Sequence, residues 1–450
     1  MAAPQSSFQG LGLSILGIGS QYPPYALKPD AVEALGKRFY PDSPAMKKVL
    51  DINRYTGIEA RSSIGNPDHP LVNGPTAPAA RRALADAGLG DDDVAQITHV
   101  VSTTCTDSAN PGYDHFVSRA LGLSPSVEKV LLHGVGCSGG LAALRTAANL
   151  ALGHAMRGLP ARILVLALEV STTFVRSELD SINSDQTTRI GVCLFSDCAS
   201  AVVLSNGVGQ APAAEPAFDL LGWQNQTIPD TESDLGFDVD PVGWKVILTQ
   251  RVPKLTTEVL RPTFEALMSS LPPLPKAYSA AADFDWAMHP GGATILMGAE
   301  KAMGIASEHM RASYDTYMNH GNSSSATIFS VLDRLRHKDM DAHTPGGRPP
   351  ADYVVGCAFG PGITVEMCML RRGRQGAVVP VTGLQTPPET ESEASRSDDE
   401  DESGSANSSK NDGKANSRSD LTGMSNGYGS TESTGSDAFI SEALAGVELD

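Results

Sequence analysis

The sequence predicts an α/β protein of two related halves, followed by a disordered tail. Three observations carry that prediction. Between residues 10 and 375, near-continuous Val/Ile/Leu runs alternate with helix-like segments, as happens when helices cover both faces of a sheet. The stretches "LFSDCASAVVL" and "AFGPGITVEMCML" are alike, which points to a duplicated unit. From residue 376 onward the chain turns to Ser, Gly, Asp, Glu and Asn, with 15 acidic and four basic side chains. Such a segment cannot bury enough apolar surface to offset its ordering entropy. The predicted organisation is an N-terminal half over residues 1–228, a C-terminal half over 229–375 and an acidic tail over 376–450.

The elements follow in order. "MAAPQSSFQGLGLSILGIGSQYPP" has no basic leader and a short, Gly-broken apolar run. It reads as a first strand and not as a signal peptide. "ITHVVSTTC", "VEKVLLHGVG" and "ARILVLALEVS" read as buried strands, with helices "YDHFVSRALGL" and "SGGLAALRTAANLALGHAMRG" between them. "CLFSDCASAVVLS" reads as a hairpin-like pair. In the second half, strand "FDWAMH" precedes helices "GGATILMGAEKAMG" and "SSSATIFSVLDRLR", and "DYVVGCAFGPGITVEMCML" closes the unit as a strand pair. Within the tail, "SDAFISEALAGVEL" has the pattern of a short helix.

Bulk properties exclude several function classes. The formal charge of −18 argues against nucleic acid as a partner. No run reaches the roughly 18 apolar residues of a membrane span. Six cysteines occur in no CxxC or Cys/His spacing. That pattern reads as neither a disulfide framework nor a zinc site, so no metal is expected. It implies reduced thiols and a cytoplasmic protein.

Three residues stand where an apolar run gives way to a helix. Cys137, in "GVGCSGG", sits where helical N–H groups and the helix dipole lower a thiol pKa. Packing is the competing explanation, since free cysteine is often a small buried hydrophobe. The flanking glycines let backbone and substrate approach. His289 follows "FDWAM" and is a candidate base; a lone histidine is more often structural. Asn322, in "HGNSSSATI", is equally a helix N-cap, and His320 and Asn319 compete with it in the same segment. In open α/β sheets, sites form beyond the carboxyl ends of strands, so the three can converge.

These segments together resemble the type III polyketide synthases, the chalcone synthase-like enzymes of the thiolase fold. The resemblance spans roughly residues 10–372. It rests on "GVGCSGGLAALRTA", "LFSDCASAVVL", "QTIPDTE", "WAMHPGGATIL", "HGNSSSATI" and "AFGPGITVE". It implies a layered αβαβα core, no cofactor beyond CoA thioester substrates, and a homodimer. It implies that Cys137 carries the acyl chain, that His289 pairs with the thiolate, and that His289 and Asn322 stabilise the enolate left by malonyl decarboxylation. A carboxylate beside that oxygen would repel it, so Asn suits the position better than Asp. In overall character, with its long polar tail, the chain is similar to the fungal members that form alkylpyrones and alkylresorcinols.

The same resemblance assigns the cavity. Phe195 matches a residue at its mouth, and Val246 stands where plant members carry phenylalanine, which implies a wider passage and a fatty acyl-CoA starter. Thr104, Cys105 and Thr173 match lining positions, and Ser324 matches a serine near the cyclisation pocket. Gly360 and Pro361 match the loop that scaffolds the cavity. Lys48 matches a CoA-contacting lysine; the neighbouring basic positions do not align, and Arg54 is the candidate substitute; a solvated basic helix is the alternative. Other functions consistent with Cys, His and Asn are a ketoacyl synthase of the fatty-acid initiation type, condensing once, and a cysteine hydrolase, whose local signatures are absent. A non-catalytic scaffold using the acidic tail is the reading outside enzymology.

Overall fold

The computed structural model describes residues 10–64, 76–209, 215–240 and 243–373. The acidic tail and its predicted short helix lie outside them. The described strands run in chain order as β1 Leu13–Gln21, β2 Tyr25–Leu27, β3 Arg61–Ser63, β4 His99–Thr104, β5 Glu128–His133, β6 Arg162–Val170, β7 Asp197–Ser205, β8 Phe218–Thr227, β9 Leu235–Asp240, β10 Gly243–Leu248, β11 Asp285–Met288, β12 Tyr353–Gly360 and β13 Thr364–Arg372. Nine of them make one mixed sheet, ordered β5-β4-β6-β7-β1-β8-β13-β12-β11. The pairs β2/β3 and β9/β10 stand apart as small two-stranded antiparallel sheets.

The sheet is two copies of one pattern. β4 and β6 are parallel, β6 and β7 antiparallel, and β7 and β1 antiparallel. β11 and β12 are parallel, β12 and β13 antiparallel, and β13 and β8 antiparallel. In each copy the first strand in sequence is the last in space. The copies meet only where Leu13–Ile15 pairs with Phe218–Leu220. β8, which the predicted boundary at residue 228 assigns to the N-terminal half, therefore belongs with the C-terminal sheet. β8 opens the second copy as β1 opens the first.

Five layers result. Helices Gly139–Met156 and Ser324–Leu335 lie between the two half-sheets and touch strands of both. Helix Thr76–Asp86 covers the outer face of the N-terminal sheet, and helix Val252–Ser270 that of the C-terminal one. The strands alternate accordingly. Ile163, Val165 and Ala167 of β6 join the central core, while Leu164, Leu166 and Leu168 join the outer one. With both faces buried, a strand reads as a continuous apolar run. Helix Gly139–Met156 buries Ala142, Ala143, Ala147, Ala148 and Ala151, small side chains that fit between two sheets.

The expected hairpin in "CLFSDCASAVVLS" is absent. Gly191–Leu194 is one turn of helix, and only Asp197–Ser205 is strand. Its partners β6 and β1 are distant in sequence, so local alternation could not reveal the pairing. At the other edge, Arg311 and Asp285 are fully buried and paired, with Arg372 also bonded to Asp285 at 2.8 Å.

Candidate active site

Cys137 lies in a 3-10 turn, Gly136–Ser138, that runs straight into helix Gly139–Met156. Gly136 has φ +57°, and a Cβ on it would meet Pro361 Cδ at 2.5 Å. Gly139 faces Thr103 and Ser325, and Gly140 faces Ile328 and the Ser325 carbonyl. A Cβ on Gly360 would fall 2.5 Å from the Val135 carbonyl oxygen. These glycines therefore do not open space for substrate, as expected from sequence. They let the nucleophile turn, helix Ser324–Leu335 and the Gly360–Pro361 loop dock backbone to backbone.

Around the sulfur the electrostatics also depart from expectation. Loss of solvent, with the Glu169 carboxylate adding to it, pushes the Cys137 thiol up to about 12. Ser324, Asn322 and the helix-start amide oppose this and do not overcome it. The Ser324 hydroxyl lies 3.4 Å from Cys137 Sγ and 3.4 Å from Cys105 Sγ. Ser324 holds that place at φ +46°, a conformation a β-carbon disfavours and one that functional sites tolerate.

Asn322 both caps and faces the site. Its backbone is fixed beside Phe195, taking an N–H bond from Ser196 and giving one to Leu194. Its Oδ1 accepts the Ser324 N–H at 2.8 Å. That bond turns the NH₂ outward as the donating end, and Nδ2 donates to the Gly291 carbonyl at 3.4 Å. His289 follows β11, with its N–H bonded to the Cys357 carbonyl at 2.7 Å. It is buried, and neither ring nitrogen has a hydrogen-bond partner among the described residues. Burial alone pushes its pKa down to about 3, so the ring is neutral. The competitors have other work: His320 stacks on Tyr22 and bonds Ser62, and Asn319 bonds the Asp315 carbonyl.

Sequence reasoning missed Glu169. It is fully buried at the end of β6 and accepts bonds from the Cys105 N–H and thiol, and from the Ser325 hydroxyl. Thr104 Oγ1 is 3.5 Å away. Burial raises its pKa. The signal was one acidic residue inside the apolar run "ILVLALEV".

A cleft of about 670 Å³ approaches from the surface, lined by Lys48, Leu194, Val246, Gly291, Ile295 and Tyr317 among others. Val246 is buried, with its N–H bonded to Glu178 at 2.8 Å and its carbonyl to Arg189 at 3.2 Å. It also walls a smaller cavity that Phe195 and Phe174 line. Phe237, not foreseen, stands between those two rings at 6.2 and 5.9 Å. Arg54 is not at this cleft. Six helical positions from Lys48 turn it about 120° away, into a separate depression where Glu33 holds it at 2.6 Å. Thr173 is also turned out: in the 3-10 turn Ser171–Phe174, the first and last residues face the cavity, and the Thr173 hydroxyl bonds the Val170 carbonyl.

Comparison with known proteins now decides the family. The model for chalcone and stilbene synthases, N-terminal domain, matches residues 47–208, and the C-terminal domain model matches 220–373. The chain belongs to the chalcone and stilbene synthase family of type III polyketide synthases. The synthase is thus an acyltransferase. It is 41% identical to the type III polyketide synthase pspB of Penicillium soppii, over 80% of this chain and 96% of that one. It is 39% identical to the acylalkylpyrone synthase csyB of Aspergillus oryzae, over 82% and 96%. A solved type III pentaketide synthase from Neurospora crassa is 68% identical, with TM-score 0.77, over 80% of the synthase and 100% of that chain.

Proposed function

We propose that the synthase extends a medium- or long-chain fatty acyl-CoA with malonyl-CoA and cyclises the product to an alkylpyrone, alkylresorcinol or resorcylic acid. The observation that carries this is a set of three neutral groups, of which Asn322 bonds the cleft residues Leu194 and Gly291: a half-buried thiol, an imidazole without partners among the described residues and a carboxamide whose oxygen is already used. In the first step the Cys137 sulfur attacks the starter thioester, His289 takes the thiol proton, and CoA leaves with a proton. Malonyl-CoA then loses CO₂, and the thioester oxygen becomes an enolate. The His289 ring and the Asn322 NH₂ donate to that oxygen in a site closed to water. The enolate carbon attacks acyl-Cys137, and the chain returns to the sulfur two carbons longer.

Lys48 meets CoA phosphate at the cleft mouth, a reading supported by a solved structure of CsyB complexed with CoA-SH, 38% identical with TM-score 0.74. The pentaketide synthase relative supports four extensions of the starter. The exposed strand β5, paired on one side only and with Val130 outward, supports a homodimer joined at that edge. The six unpaired cysteines support a cytoplasmic setting, where CoA thioesters are made. The test is to incubate the purified chain with malonyl-CoA and starters of graded length and to identify products by mass spectrometry. Absence of any polyketide sinks the reading. A preference for aromatic starters sinks its fatty-acyl part, and a single extension favours the ketoacyl synthase.

A further inference from the structure

At the far end of β4 from the thiol, three metal-type donors converge that the condensation does not use. His99 opens β4, Glu128 opens β5 directly opposite it, and His154 lies in the last turn of helix Gly139–Met156. One donor atom from each lies within 4.8 Å of the others. His99 Nε2 is 3.7 Å from Glu128 Oε2, and the two imidazoles meet edge to face with centroids 4.6 Å apart.

Hydrogen bonds fix which nitrogens face inward. The Thr98 hydroxyl donates to the Arg162 carbonyl and accepts the Arg162 N–H. Its one proton is thereby used, so at 2.7 Å it accepts from His99 Nδ1–H. His154 Nδ1 meets the Pro160 carbonyl, which can only accept. Both rings therefore carry Nδ1–H and present an Nε2 lone pair. This is the arrangement of metal-bound histidines, whose second nitrogen donates to an oxygen. His99 is 2% exposed, and its Nε2 has no hydrogen-bond partner among the described residues.

We propose that His99, Glu128 and His154 form a binding site for a borderline divalent transition ion, with Zn²⁺ as representative, and one open position for water. Two lone pairs and a carboxylate meet with no donor among them. Two imidazoles with one carboxylate suit Zn²⁺, Co²⁺ or Ni²⁺ better than Mg²⁺ or Ca²⁺. Zinc–nitrogen bonds of about 2.0–2.1 Å place ligand atoms roughly 3.4 Å apart in a tetrahedron, close to the separation of His99 and Glu128. The carbonyl end of the helix carrying His154 adds favourable negative potential. The ion would clip strand β5 to β4 and to the central helix, roughly 17 Å along β4 from the reacting sulfur.

The test strips the purified full chain with chelator and titrates it with Co²⁺ or Zn²⁺ alone. One ion should bind per chain, with a rise in unfolding temperature. The cobalt spectrum should lack thiolate charge-transfer bands, and Cys137→Ala should bind as well as wild type. His154→Ala and Glu128→Ala, at partly or fully exposed positions, should each weaken binding by about tenfold or more while circular dichroism shows an intact fold. Thiolate bands, affinity unchanged in both variants, or no binding at a roughly tenfold molar excess would overturn the assignment.

Discussion

The contact between Gly136 and Pro361 gives the sharpest prediction. Gly136→Ala introduces two separable penalties. At φ +57° a β-carbon costs about 1–2 kcal/mol. That carbon would also lie 2.5 Å from Pro361 Cδ and 2.8 Å from Cγ, so the loop and the nucleophile turn must part by about 1 Å. Overpacking of this kind costs about 1–3 kcal/mol. The expected destabilisation is therefore about 2–5 kcal/mol in urea unfolding. Cys137 is the next residue, and an error of about 1 Å in a reacting group can cost on the order of 100-fold in rate. Turnover should fall by that order with wild-type starter preference. The decisive measurement is a double-mutant cycle. In a Pro361→Gly background the steric part vanishes and the conformational part stays, so Gly136→Ala should cost about 1–3 kcal/mol less. Equal losses in both backgrounds, within about 0.5 kcal/mol, would refute the docking argument.

Four further outcomes are expected. Cys137→Ala should abolish chain extension with the unfolding curve unchanged, whereas Cys198→Ala should keep activity; equal loss in both would return the thiol to a packing role. Glu178, beside Val246, has its pKa raised from 4.5 to about 7 by burial. Between those values the unfolded chain gives up the proton first, so stability falls as pH rises, by about 3 kcal/mol in all. Unfolding of Glu178→Gln across this range should lack that slope. Asp285→Ala leaves fully buried Arg311 unpaired and should cost about 3–5 kcal/mol, measured by denaturant unfolding. Truncation after Gly373 should leave product formation intact; lost activity would give the acidic tail a catalytic duty.

The repeated strand pattern was legible because each strand is buried on both faces and so is written as an unbroken apolar run. Where Cys137 and His289 stand was legible because each follows a strand and precedes a helix; Asn322 instead stands between helices Arg311–His320 and Ser324–Leu335, and only the second of these was legible. What was not legible depends on spatial neighbours. Pairing of β7 with β1 joins residues almost two hundred positions apart. The thiol's shift is set by Glu169 and burial, which no spacing around Cys137 encodes. Arg54 lies outside the Lys48 cleft because sequence proximity to Lys48 does not fix a helical face. His99, Glu128 and His154 fall in three different elements, so no metal-type spacing announces them.

Cys137 and the two groups that would serve it belong to opposite copies of the repeated unit. On the ribosome, His289 emerges about 150 residues after Cys137, a delay of roughly 8–30 s at ordinary elongation rates. Throughout that interval the nascent thiol would lack both the proton acceptor and the enolate donors of the proposed mechanism. Under the proposed mechanism, reactivity would be assembled only when the second copy closes on the first, which would spare malonyl-CoA futile decarboxylation on incomplete chains.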